Sequence, residues 1–221
     1  MILIPAFLFS LWAQMLVQST FSKYNSVRSS LGMTGAEFAR RLLESAGLYD
    51  VRVEMVSGWL SDHYDPREKV VRLSQATYMS DSVSALGVVA HEIGHAIQHK
   101  EGYAPLVLRN MAVPLAVTGS NLAWIIFILG LIFGTPALLK FGIVLFSFVV
   151  FFSVLTLPVE FDASARALKM LKERFFMPPD ELAGARKVLM AAGMTYVAAA
   201  AVAILQLLRM LLIAGMFGDR E

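Results

Sequence analysis

The chain has 221 residues, of which 57% are hydrophobic and 16% charged, and its mean hydropathy is +0.63. Soluble domains carry about 25% charged residues, so this balance excludes an ordinary soluble globule and indicates a membrane protein. A formal net charge of +2 gives no reason to expect nucleic-acid binding, and the absence of cysteine excludes disulfides and thiolate metal sites, which leaves His, Asp and Glu as metal ligands.

The first predicted element is an apolar helix over residues 2–21. No charge precedes Lys23, so the basic region of a cleaved signal peptide is missing, and no small-residue cleavage site is evident. An uncleaved membrane helix is expected. The next segment, 22–110, has enough length to fold outside the bilayer. Thr34 and Glu37 fit a capping box opening a helix with an apolar stripe of Ala39, Leu42, Leu43 and Ala46 and a stop at Gly47. VRVEMV (51–56) and KVVRLS (69–74) read as strands on either side of an Asp65-Pro66 turn, and a β-hairpin over 51–74 is expected. Asp81 or Ser82 caps a further helix that runs to about His99, with Gly102 as its stop.

Three more apolar runs can each supply the ~20 residues a bilayer demands. One lies in the uncharged stretch Asn110–Leu139, with its best core at Val113–Phe133. The next covers roughly Ala137–Leu157 and is expected to close at Pro158. The tight Gly134-Thr135-Pro136 turn makes these two an antiparallel helical hairpin. The last lies within about Val188–Phe217, led in by a surface helix at 180–193. Gln206 and Arg209 fall inside it, and Arg209 is read as snorkelling to an interface.

The chain thus divides into a transmembrane helix at 1–21, a cytoplasmic region at 22–110, a transmembrane hairpin at 111–157, a second cytoplasmic segment at 158–187 and a transmembrane helix at 188–217. The sides follow from the basic residues. Lys23–Arg109 holds ten and Arg166–Lys187 holds six, against three elsewhere, so both segments face the cytoplasm and the two termini face out.

Within the helix ending near His99 stands HEIGH, at 91–95. Residues four apart on a helix lie one above the other, about 6 Å along the axis, so His91 and His95 can hold one ion. Zinc accepts two such imidazoles and keeps a position open for water. Glu92, about 100° round the helix, is placed as general base rather than ligand. His99 is too far along and round the helix to join them. The long zinc motif with a third histidine fails, because position 98 is Gln and position 101 is Glu. A third ligand is sought instead in LPVEFDASARAL (157–168), which the two spans return to the same membrane face. Glu160 and Asp162 are the candidates, at the start of an apparent helix.

HEIGHAIQ, with GWLSDHYDP (58–66), LPVEFDAS (157–164) and TYVAAA (195–200), resembles the YugP-type family of bacterial membrane zinc metallopeptidases over nearly the whole chain. Its EFxA piece is also similar to membrane zincins of the HtpX type, in which the Glu is the third zinc ligand. The resemblance implies that role for Glu160. In many soluble enzymes with a Glu ligand, an Asp four residues later orients a zinc-binding histidine. That position is Ser164 here, which leaves Asp162 or a backbone carbonyl as alternative orienting groups. Zincins also bind peptides as an added strand on a sheet edge. His63 and Tyr64 are open to two readings: polarising a substrate carbonyl, or decorating a hairpin tip.

The expected fold is a mainly α integral membrane protein with about four transmembrane helices and a small α+β zincin-like cytoplasmic region carrying a β-hairpin. The expected function is a metalloendopeptidase in the bacterial inner membrane, holding one Zn2+ per chain on His91, His95 and Glu160. With Glu92 as base, it cuts membrane-associated proteins or peptides at the cytoplasmic face, with the lipid bilayer as its other partner. An intramembrane protease fits less well, because Asp81, Ser82, Gln98, His99 and Lys100 flank the motif too closely. A catalytically silent zinc-binding scaffold is the alternative from another class.

Overall fold

A computed structural model describes residues 3–218. In chain order these form α1 (Leu3–Asn25), α2 (Gly35–Ser45), β1 (Arg52–Val56), β2 (His63–Asp65), β3 (Val70–Ser74), α3 (Gln75–Tyr78), α4 (Val83–Lys100), α5 (Ala104–Ile132), α6 (Pro136–Glu173) and α7 (Pro179–Gly218). Among the described residues four helices, α1, α5, α6 and α7, are long and apolar enough to cross a membrane. The chain divides into two compact units.

One unit takes the start of α1, Ala104–Pro158 and the part of α7 from Thr195. Its core is small: Ala123, Phe127, Leu139, Phe146 and Met210. Glycines let α5 and α6 approach closely. A Cβ on Gly142 would sit 2.9 Å from the Phe127 side chain, and one on Gly130 would sit 2.8 Å from the Leu139 nitrogen. Large apolar side chains, among them Leu115, Ile125, Ile128, Phe141, Phe148 and Phe151, face outward, as a lipid-facing surface requires. Arg209 is exposed on α7, while Gln206 is buried.

The other unit takes Ala13–Tyr103 and Val159–Met194. Its core joins Phe38, Ala39, Leu42 and Leu43 of α2 to Leu86, Val89, Ala90 and Ile93 of α4, Val71 and Leu73 of β3, and Ala167 and Leu171 of α6. The capping box forms as expected: the Thr34 hydroxyl accepts from the Glu37 N–H while the Glu37 carboxylate accepts from the Thr34 N–H. Gly47 and Gly102 adopt φ of +66° and +62° just beyond α2 and α4, which suits glycine at a helix stop.

Two expectations need correction. The strands at 51–56 and 69–74 are not hairpin partners. The sheet order is β1-β3-β2, and β1 runs parallel to β3, Arg52 opposite Val70 through Val56 opposite Ser74. The hairpin is the one between β2 and β3, with Tyr64 opposite Val71. The connection from β1 is long enough to insert β2, which turns back onto one edge of β3 and leaves β1 the other. Pro158 does not end the third apolar helix either. α6 runs through it to Glu173, so Glu160 and Asp162 lie mid-helix and neither caps an N-terminus. The proline removes one backbone N–H, but Val159, Ala163 and Ala167 are fully buried just beyond it, and this packing holds the helix together.

Candidate metal centre

Ser82 caps α4, its hydroxyl accepting from the Ala85 N–H at 3.2 Å. Nearly every residue from Val83 to Gly94 on this helix is buried, the exceptions being Val88 and His91, which are partly exposed. At Gly94 α6 crosses it closely: a Cβ at this position would stand 2.7 Å from the Ala163 carbonyl oxygen and 3.2 Å from the Ala163 Cα. On α6, Glu160, Ala163, Ser164 and Ala167 fall three and four residues apart and share one face. The glycine inside HEIGH therefore lets the helix bearing Glu160 come up to the helix bearing the histidines.

His91, His95 and Glu160 converge, with one potential ligand atom from each lying within 4.8 Å of the others. Glu160 Oε2 is 3.2 Å from His91 Nε2 and 3.6 Å from His95 Nε2, and the two imidazoles stand edge to face with centroids 4.8 Å apart. Asp162, the other acidic candidate, points elsewhere. Its Oδ2 accepts from Gln98 Nε2 at 2.7 Å and from Arg166 Nε at 2.6 Å.

Both histidines are held from behind. His91 Nδ1 lies 3.1 Å from Ser164 Oγ, so the serine stands where many soluble enzymes with a Glu ligand carry an orienting Asp. His95 Nδ1 lies 2.9 Å from Gln98 Oε1, and Gln98 Nε2 donates to the Val159 carbonyl and to Asp162. Two acceptors at the amide nitrogen fix which way the amide faces, so its oxygen meets His95 and Nδ1 must carry the proton. In the neutral ring this leaves the Nε2 lone pair free for a metal, whereas in the protonated ring Nε2 donates to Glu160. Gln98 is completely buried. Sequence reasoning missed this residue, although its position three after His95 and seven after His91 puts it on the same helix face.

Glu92 is buried and stands outside the trio. Its Oε2 accepts from the Tyr64 backbone N–H at 3.0 Å. Burial pushes its carboxyl above the ordinary range, against the pull of His91 and His95. For His95, burial favours the neutral ring, but the Glu160 hydrogen bond and the Glu92 and Glu160 charges outweigh it and raise the pKa. The Tyr64 phenol is turned away: its hydroxyl is 2.9 Å from His99 Nδ1, and burial pushes its pKa up to about 12. His63 Nδ1 faces the Ser61 carbonyl at 2.8 Å. At this locus the group that reaches the Glu92 carboxylate is the Tyr64 main chain, while His99 bonds to the phenol.

Residues 1–215 match the family described as "Putative neutral zinc metallopeptidase". The chain belongs to this family. It is also 50% identical over 204 residues to "Putative membrane protease YugP" of Bacillus subtilis (strain 168), a match covering 92% of this chain and 91% of the relative. No solved structure matches.

Membership in a zinc metallopeptidase family implies zinc, and the trio fits it. Zinc bonds of about 2.0–2.1 Å at tetrahedral angles separate neighbouring ligand atoms by roughly 3.4 Å. The two Glu160 distances, 3.2 and 3.6 Å, bracket that value. Two imidazoles and a carboxylate are also the donor set borderline-soft zinc takes in hydrolytic sites.

Proposed function

We propose that the protein is a zinc-dependent endopeptidase of the bacterial cell membrane that cuts membrane-associated proteins or peptides at the cytoplasmic face. His91, His95 and Glu160 hold the metal, and Glu92 is the general base. The observation that carries this reading is the convergence of the trio, with Glu160 Oε2 at 3.2 and 3.6 Å from the two imidazole Nε2 atoms, beside a buried carboxylate that is not part of it.

Bound zinc supplies Lewis acidity toward the scissile carbonyl and toward water. The chain supplies the rest. Ser164 and Gln98 orient the two imidazoles. The Tyr64 N–H occupies Glu92 Oε2, which leaves the other oxygen to take a proton from the attacking water. Water oxygen joins the carbonyl carbon, the C–N bond breaks, and Glu92 passes the proton to the departing amine. β2 is an edge strand that meets Glu92 through the Tyr64 N–H, so an extended peptide laid beside it, pairing with the main-chain groups that Glu92 leaves free, runs past the site.

The silent-scaffold reading calls for a zinc site closed by a fourth protein ligand. Among the described residues the ligand group is the trio, and His99, the nearby spare, bonds to Tyr64. The test compares the proteomes of membranes carrying wild-type and Glu92→Gln protein. Membrane proteins whose fragments vanish in the variant support the protease. Identical fragment patterns refute it.

A further inference from the structure

The motif GWLSDHYDP holds a residue that the catalytic reading leaves unused. Trp59 sits in the loop between β1 and β2 and is 58% exposed. Among the described residues it has one ring partner. The indole stands edge-on to Phe21 of α1, with centroids 5.5 Å apart and planes at 79°. Phe21 is buried, and it lies two residues before Lys23, the first charge after the apolar run of a membrane-spanning helix. Two residues of helix rise about 3 Å. The indole therefore stands beside the last turn of α1 before its first charge.

We propose that the β1–β2 loop lies in the bilayer interface with Trp59 as its anchor, so that the edge strand beside the metal trio stands on the membrane surface.

The loop is built for such a surface. Residues 57–61, Ser-Gly-Trp-Leu-Ser, carry no charge. Gly58 and Leu60 have φ of +117° and +52°, so the backbone turns on both sides of Trp59 and pushes the indole outward. Leucine rarely accepts that conformation. Asp62 closes the base of the loop by accepting from the Ser74 N–H at 2.8 Å and the Ser74 hydroxyl at 3.1 Å. The turn at the opposite end of β2 has the reverse character. Asp65-Pro66-Arg67-Glu68-Lys69 is strongly charged, with Asp65 and Glu68 both paired to Arg72. A short strand with an uncharged, Trp-bearing turn at one end and a charged turn at the other sets the first in the interface and the second in water. Tryptophan favours the headgroup level because its ring is amphipathic.

This narrows the substrate, a step that does rest on the protease reading. β2 is three residues, about 10 Å, long. A peptide paired on its edge is the stretch of a membrane protein that immediately flanks its own span.

The test needs no activity. The chain has three tryptophans, so Trp12→Phe with Trp124→Phe leaves Trp59 as sole emitter. In reconstituted vesicles, phosphatidylcholine bearing a nitroxide at acyl carbon 5 should quench it more than the same lipid labelled at carbon 12, and aqueous iodide should quench weakly. Strong iodide quenching without nitroxide quenching overturns the proposal and points to a surface left for water or a protein partner. Stronger quenching from carbon 12 also overturns it. If the double variant does not fold, spin labels answer the same question, since the chain has no native cysteine. A label at Ser57→Cys should collide more with oxygen than with a water-soluble nickel chelate, and one at Arg67→Cys the reverse. Equal nickel accessibility at both positions overturns the proposal.

Discussion

Replacing Gly94 with alanine tests the helix crossing that brings Glu160 to the histidines. The new methyl would lie 2.7 Å from the Ala163 carbonyl oxygen, and its next neighbours are also Ala163 backbone atoms, at 3.2 and 3.3 Å. No flexible side chain can yield there, so α4 and α6 must separate. A comfortable carbon–oxygen contact is about 3.3–3.4 Å, so the shift is roughly 0.6 Å, well beyond the ±0.2 Å tolerance of metal–ligand distances. Glu160 is one turn from Ala163 and moves with it. Overpacking of this kind costs about 1–3 kcal/mol. The free protein relieves it by letting the helices part, but zinc must draw them together again, so the strain appears as a loss of zinc affinity of about 5- to 150-fold. Stability falls less, because Gly→Ala in a helix returns about 1 kcal/mol. The control is Gly87→Ala on the same helix, where the added Cβ would meet Ala185 at an ordinary 3.4 Å. Competitive zinc titration against a chelating indicator should separate the two variants. Zinc affinity of Gly94→Ala within twofold of wild type would refute the crossing as the determinant of the site.

Other outcomes follow from the same geometry. Glu92→Gln should keep its zinc and its fold yet lose about 10²–10⁴-fold in proteolysis, as metal analysis and peptide cleavage will show; His91→Ala and His95→Ala should each lose the zinc itself. Gln98→Leu leaves His95 Nδ1 and Asp162 without their shared partner, and zinc affinity should fall about 10- to 100-fold, measurable by the same titration, with Gln98→Ala no better. Single cysteines at the exposed residues Arg67 and Lys172 should resist an impermeant reagent added outside cells, while one at Thr135 should react. Labelling of Arg67 and Lys172 from opposite sides would sink Glu160 as a ligand.

Local signals made much of this molecule legible. The capping box at Thr34, the Ser82 cap and the four apolar runs are written in neighbouring residues, and His91 with His95 needs only helical spacing. What escaped was set by distant contacts. The parallel pairing of β1 with β3 depends on a three-residue strand, His63–Asp65, too short to show a period. The continuity of α6 depends on burial beyond Pro158, which outweighs the local rule that proline ends a helix. Gln98 was invisible as an orienting residue because its partners, Val159 and Asp162, are more than sixty residues away. Ser164 stood at a position already singled out, but a hydroxyl there signals little until the His91 ring is seen beside it.

The order in which the trio is synthesised has a consequence of its own. His91 and His95 leave the ribosome before α5 and the apolar half of α6, and Glu160 leaves after them. Two imidazoles alone hold zinc weakly, and Glu92 without the third ligand has no organised centre to serve. On the proposed ligand set, a nascent chain cannot complete its metal site until the helical hairpin has been made and has delivered Glu160. Released, reconstituted chains truncated before Glu160 and after α6, at residue 173, should differ in zinc retention if delivery of Glu160 is the arming step, and would match if it is not. On the proposed function, the placement of one glutamate beyond a membrane hairpin works as a safety catch, since the site is incomplete until that hairpin is in place.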